Sequence, residues 1–261
     1  MYKCEDRTNL LNEITRFSKT ISGIQGLLLV GSGSKGFRDE FSDLDLLVVV
    51  KNSEDVVHIQ DLLREHIKHH FLVLKEKVYR HEEDIFVTCF FFDHFLELDL
   101  GVWSKSKLRA TKPHWKVIFD SENNEIQRLL KESLSSRSVS NFNETVKDSL
   151  SFIWQFFRSA AVALKRKQYI KALKDIDFIR DQIIHFLCLQ NGVNDDFEKS
   201  IDKIDSPFLS KLKRTYEVKM NDESIEKVLL EMMDLYFDVI SDVGNQDKKM
   251  IQQFLYEMLE M

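Results

Sequence analysis

Hydrophobic positions change period along the chain, from strand-like runs in the first half to a helical repeat after residue 140. Leu10, Leu11, Ile14, Phe17 and Ile21 predict a helix over residues 9–22, ended by Gly23 and Gly26. Leu27–Val30 then reads as one strand, and the run that opens at Asp43 and closes at Val50 as a second. Lys51-Asn52-Ser53 is a turn, with Asn52 or Ser53 capping a helix over 54–69 whose Val57, Leu62, Leu63 and Ile67 face inward. Strands follow near 71–80 and 85–92. Asp93-His94 reads as a two-residue hairpin turn, with a strand from Phe95 to Trp103 after it. Residues 104–140 are weakly patterned, and the Ser-rich stretch 133–140 (SLSSRSVS) marks a domain boundary.

Beyond that boundary the pattern is helical throughout. Asn141 and Glu144 have capping-box spacing, and Val146, Leu150, Ile153, Trp154, Phe157, Ala161 and Leu164 form one long apolar stripe. A helix over 168–190 stops at Asn191-Gly192, and others run near 196–216 (interrupted by Pro207), 222–241 and 246–260. The expected fold class is α+β: a sheet-containing N-terminal domain over residues 1–138, followed by an all-α helical bundle over 139–261.

Composition narrows the picture modestly. At 261 residues, with 43% hydrophobic content, the chain can build two cores, and its 31% charged residues leave no stretch apolar enough for a membrane span. Three widely spaced cysteines suggest neither a disulfide framework nor a zinc knuckle, and with no signal-peptide pattern the expectation is a cytoplasmic protein. A net charge of −6 argues against a nucleic-acid partner. His66, His69 and His70 share a helix face, but no acidic or Cys partner lies at ligand spacing, so they read as a solvated helix end.

The candidate chemistry lies in Leu27–Val50, LLLVGSGSKGFRDEFSDLDLLVVV. On a strand Asp43 and Asp45 share a face while Leu44 and Leu46 enter the core. Two carboxylates side by side on a buried strand make sense if a cation sits between them. The Gly31-Ser32 turn just before them suits phosphate oxygens, since glycine lets backbone N–H groups approach closely. Gly31 to Gly36 has P-loop spacing, but Phe37-Arg38 stands where Lys and Ser/Thr are required, so a P-loop is excluded. The reading is a metal–nucleotide site.

Val30-Gly31-Ser32, the insert with Lys35-Gly36, and Ser42-Asp43-Leu44-Asp45 together resemble the nucleotidyltransferase superfamily related to DNA polymerase β. That resemblance implies a mixed sheet and a third carboxylate on a later strand. Asp99, in Leu98-Asp99-Leu100, is the candidate, with Glu97 as rival ligand or general base. In the second half, Ala163–Leu173 (ALKRKQYIKAL) with Asp177 and Arg180 resembles the C-terminal domain of bacterial antibiotic nucleotidyltransferases. The junction departs from that subfamily, reading Arg166-Lys167-Gln168 where Arg-Gly-Glu or similar stands.

The resemblance implies transfer of AMP, or another NMP, from ATP or another NTP to the hydroxyl of a small acceptor between the domains, with pyrophosphate release. Asp43, Asp45 and Asp99 would hold two Mg²⁺ ions. Backbone near Gly31 and the Ser32 hydroxyl would take phosphates, supplemented by Lys35 and Arg38, and Glu97 would act as general base. Arg166, Tyr169, Asp177 and Arg180 would line the acceptor pocket or form a structural salt-bridge network. An aminoglycoside would suit acidic groups such as Asp175, Asp177, Asp181, Asp195 and Asp196; a lincosamide would suit Trp154, Phe156, Phe157 and Tyr169. Lys105, Lys107, Arg109 and Lys112 read as a solvated charge run or as further phosphate contacts. Adenylylation of a metabolite or protein hydroxyl, and a non-catalytic nucleotide-binding regulatory protein, are the alternatives. Oligomeric state has no sequence signal.

Overall fold

The computed structural model describes residues 3–37, 42–135, 141–193, 199–240 and 245–260. The chain divides into two compact units, residues 1–138 and 139–261.

In the first unit, helix α1 (Cys4–Ser18) precedes strand β1 (Ile24–Leu29), and a 3₁₀ turn at Gly31–Lys35 leads toward β2 (Leu44–Val50). Helix α2 (Val56–His70) follows, then β3 (Val73–Glu82), β4 (Ile85–Phe92), β5 (Glu97–Ser104), β6 (Lys116–Asp120) and α3 (Glu125–Ser135). The sheet is mixed, in the order β3-β4-β5-β2-β1-β6, with β2 and β5 parallel and the other neighbours antiparallel. The fold is α+β.

Both faces of the central strands are covered, which is why β1 is buried at every position. Leu27, Leu29, Leu44, Leu46, Val48, Leu98 and Leu100 join Leu10, Ile14, Ile59, Leu63 and Ile67 of α1 and α2 in one core. Leu28, Leu47 and Val49 point the other way and pack with Ile126 and Leu130 of α3. The alternation that places Leu44 and Leu46 in the first core turns Asp45 to the opposite face.

Several elements differ from the sequence expectation. Helix α1 starts at Cys4 because Asp6 accepts from the Lys3 backbone N–H at 2.7 Å, a cap in polar turns that precede the first apolar repeat. In α2 the inward residues are Val56, Ile59, Leu63 and Ile67, while Val57 and Leu62 are exposed. The turn after β4 is longer than two residues: Phe95 N–H donates to Phe92 O at 3.0 Å, Phe95 adopts φ +70°, and β5 begins at Glu97. Phe92 N–H donates to Leu96 O at 3.0 Å, which closes a three-residue loop over 93–95 on a left-handed residue, the next commonest hairpin solution. Strand β6 and helix α3 fill a region that the sequence left unpatterned.

The second unit is a bundle: α4 (Phe142–Leu150), α5 (Ile153–Lys165), α6 (Tyr169–Gln190), α7 (Pro207–Arg214), α8 (Asp222–Val239) and α9 (Asn245–Glu260). Phe157, Ile176, Ile183, Leu187, Met232 and Tyr236 are among its buried core. The long stripe expected from Val146 to Leu164 is broken at Ser151-Phe152, where Ser151 Oγ returns to Asp148 O at 2.6 Å. Asn141 caps α4, Gly192 ends α6 with φ +62°, and Pro207 opens α7 rather than interrupting a helix. Among the described residues, no helix is long and apolar enough to cross a membrane.

Candidate active site

The parallel pairing of β2 with β5 sets Asp45 directly beside Asp99 and Leu44 beside Leu98. Asp43 immediately precedes β2, near enough to Glu97 for its charge to act on that carboxyl. Alternation puts Glu97 on the same face of β5 as Asp99, so Asp45, Glu97 and Asp99 share one face, with Asp43 at its edge. Strands lie about 4.8 Å apart, and two ionised carboxylates at that spacing repel by roughly 3 kcal/mol at an effective dielectric near 20. Asp43 and Glu97 are exposed, while Asp45 and Asp99 are half-buried. Asp99 Oδ1 is buried without a hydrogen-bond partner.

Charge at this corner perturbs its neighbours. Partial desolvation at the strand end, then the charges of Asp43 and Asp99, push the Glu97 carboxyl above the ordinary range. Cys89 pairs with Asp99 across β4 and β5 and hydrogen-bonds to its carboxylate; burial, then Asp99, push the thiol up to about 12. A crowded set of carboxylates with an orphaned buried oxygen fits a hard divalent cation.

Gly31 brings the turn against this set. Its φ is +60°, and a Cβ there would stand 2.0 Å from Asp45 Oδ2, so only glycine lets the backbone pass. Val30 N–H donates to Asp45 O at 3.0 Å, and Ser34 Oγ donates to Gly31 O at 2.8 Å. Ser32 and Lys35 are exposed on the turn, whereas Arg38 lies outside the described residues.

Residues not anticipated from the sequence complete the surroundings. Arg7, buried in α1, donates to Ser42 O at 2.5 Å, and its guanidinium lies 3.7 Å from the Phe37 ring centre. It thereby holds both ends of the segment that delivers Asp43. A cavity of about 140 Å³ borders Gly31 and Asp45, lined also by Arg109, Lys112, His114 and Trp115. Of the basic run after β5, Lys105 pairs with Glu122 and Glu125, and Lys107 and Arg109 with Glu82. Lys112 is the lysine of that run that lines the cavity.

In the bundle, Arg166 is exposed at the end of α5, and Tyr169 at the start of α6 hydrogen-bonds to Asp222. Arg180 is buried, paired with Asp177, and donates through Nε to Thr215 Oγ1 at 3.0 Å and also to Thr215 O. Its guanidinium lies 4.4 Å from the Tyr216 ring centre. Asp195 and Asp196 lie outside the described residues.

A family model described as streptomycin adenylyltransferase matches residues 4–257. No match was found among curated proteins. Among solved structures the chain is similar to an aminoglycoside 6-adenyltransferase from Bacillus subtilis, at 12% identity over 99% of both chains with a TM-score of 0.41. A nucleotidyltransferase-like protein from Exiguobacterium sibiricum matches at 12% identity over 92% of this chain and 80% of that one, with a TM-score of 0.44. A spectinomycin adenyltransferase from Enterococcus faecialis, solved with ATP and spectinomycin, matches at 14% identity over 99% of this chain and 100% of that one, with a TM-score of 0.28.

Proposed function

The chain belongs to the streptomycin adenylyltransferase family, and on that premise we propose that it transfers AMP from ATP to a hydroxyl of an aminoglycoside-type antibiotic, releasing pyrophosphate. The observation that carries this reading is the in-register pairing of Asp45 with Asp99, with Glu97 and Asp43 close by and the Gly31 turn against Asp45. A binding-only protein has no need to keep mutually repelling carboxylates on one face, and an NTP with its dications is the ligand such a face suits.

Asp43, Asp45 and Asp99 would hold divalent ions of the magnesium kind, which when bound neutralise triphosphate charge and stabilise the charge that develops in transfer. The chain's own part is positional and protolytic. Backbone N–H groups of the Gly31 turn and the Ser32 hydroxyl take β- and γ-phosphate oxygens, and Lys35, Arg38 and Lys112 add positive charge. The acceptor oxygen attacks the α-phosphorus, the bond to the bridging oxygen breaks, and pyrophosphate leaves with its electron pair. The Glu97 carboxylate takes the acceptor's proton, being on the quartet's exposed side. Its neighbour Asp99 is held by Cys89 and serves the cation instead. In the bundle Arg166, Tyr169 and Asp177 are the candidates for acceptor contact, and Arg180 supports α6 from inside.

Pyrophosphate release from Mg·ATP, measured across aminoglycosides and lincosamides with Asp45→Asn alongside, tests the proposal. Release with an aminoglycoside, abolished in the variant, supports it. Release with a lincosamide alone reassigns the acceptor class, and release that persists in the variant refutes the site.

A further inference from the structure

A second group of metal-capable side chains lies where α1 packs on α2, on residues the proposed transfer reaction does not use. Glu13, His66 and His70 each offer a donor atom, and these atoms all lie within 4.8 Å of one another. We propose that Glu13, His66 and His70 form a site for a transition-metal dication of the zinc type, joining α1 to α2. The inference stands apart from the nucleotidyl-transfer reading.

The geometry is built in three ways. His66 and His70 are one helical turn apart on α2, so their rings share a face, with centroids 4.0 Å apart. His70 Nδ1 lies 2.9 Å from His66 O; donating there leaves the Nε2 lone pair available, the arrangement that orients metal-binding imidazoles. His66 stacks on Phe17 at 3.6 Å between centroids with an interplanar angle of 4°, which fixes its rotation and points Nε2 at Glu13.

The distances from Glu13 need little adjustment. Glu13 Oε1 is 2.7 Å from His66 Nε2 and 3.9 Å from His70 Nε2. Ligand atoms around a tetrahedral zinc at about 2.0 Å are about 3.3 Å apart, so the first gap opens slightly and the second closes slightly. Glu13 also pairs with Arg16 at 2.6 Å, but Arg16 is 67% exposed on its side chain and can swing into water. Two imidazoles and one carboxylate select zinc, copper or nickel over magnesium, which takes hard oxygen ligands and keeps its waters. Zinc would retain an open position toward solvent on the His70 side.

The test uses the full chain in millimolar magnesium, titrated with zinc alone and, in parallel, with cobalt(II) as a visible-absorbing probe. One equivalent of zinc should bind and raise the melting midpoint, and cobalt should give d–d bands of a low-coordinate site. His70→Ala and Glu13→Gln should each weaken zinc binding about tenfold or more. His70 is exposed, so His70→Ala should melt like the wild type without metal. Asp45→Asn should leave zinc binding unchanged. Zinc binding equal in His70→Ala, Glu13→Gln and wild type would overturn the proposal, as would no zinc uptake in magnesium.

Discussion

Replacing Gly31 by Ala probes whether the turn and Asp45 act together. At φ +60° an L-residue costs roughly 1–2 kcal/mol of backbone strain. The new Cβ would meet Asp45 Oδ2 at 2.0 Å, whereas ordinary contact begins at 3.4 Å, so the carboxylate must retreat by about 1.4 Å. Misplacement on the order of 1 Å at a reacting centre can cost about a hundredfold in rate, or roughly 2.7 kcal/mol. Gly192 supplies the control, since it has φ +62° at the end of α6 and a Cβ there would meet nothing within 4 Å. Gly192→Ala should lose about 1–2 kcal/mol in thermal unfolding and keep wild-type turnover. Gly31→Ala should lose a similar amount of stability and about a hundredfold in kcat for AMP transfer. Turnover within about threefold of wild type in Gly31→Ala would refute the claim that this glycine exists to seat Asp45.

Other perturbations address single contacts. Arg7→Met removes a charge-assisted hydrogen bond to Ser42 O from a residue 2% exposed, so unfolding should fall by about 2 kcal/mol and turnover with it. Cys89→Ala deprives Asp99 of its thiol partner and should lower kcat severalfold with KM for ATP little changed, while Cys89→Ser, which keeps a donor, should recover most of the loss. Gly26→Ala should destabilise the first unit, because a Cβ there meets Phe119 O at 2.7 Å, a backbone atom that cannot give way cheaply. Burial pulls the Glu76 carboxyl upward, but Arg64 at 2.7 Å and Lys68 outweigh it and hold it below the ordinary 4.5. Its stabilisation is therefore full above that pH and lost as pH falls through the lowered value; Glu76→Gln should cost under about 1 kcal/mol at pH 7 and nothing in strong acid, read from melting midpoints across pH.

What the sequence reveals depends on how local the cause is. Asp45 stands out because Leu44, Leu46, Leu47 and Val48 surround it, and period-two alternation alone turns it out of the core. Asp99 and Glu97 are legible by the same alternation on β5. The pairing that joins them is not, since β2 and β5 are separated in sequence by α2 and the β3–β4 hairpin, and parallel neighbours need no short turn. Arg7 escapes notice because the first turns of α1 are polar, and its role lies in a contact 35 residues away. Glu13 and His66 are 53 residues apart, which is why the histidines look solvated when read along one helix. The histidine face is therefore a correction: an acidic partner is present, supplied by α1. Strand β6 is half-buried, so its apolar contrast is weak; it is found only once Leu28 and Gly26 are seen to need a neighbour.

The central claim is that this face of carboxylates moves an adenylyl group. The most direct measurement incubates the protein and magnesium with an aminoglycoside and ATP labelled either at the α- or at the γ-phosphate, following which label reaches the drug. The account predicts α-label on the aminoglycoside and γ-label in pyrophosphate, both lost in Asp45→Asn. Transfer of the γ-label would make the reaction a phosphorylation and contradict the account, as would α-label transfer that survives the loss of Asp45.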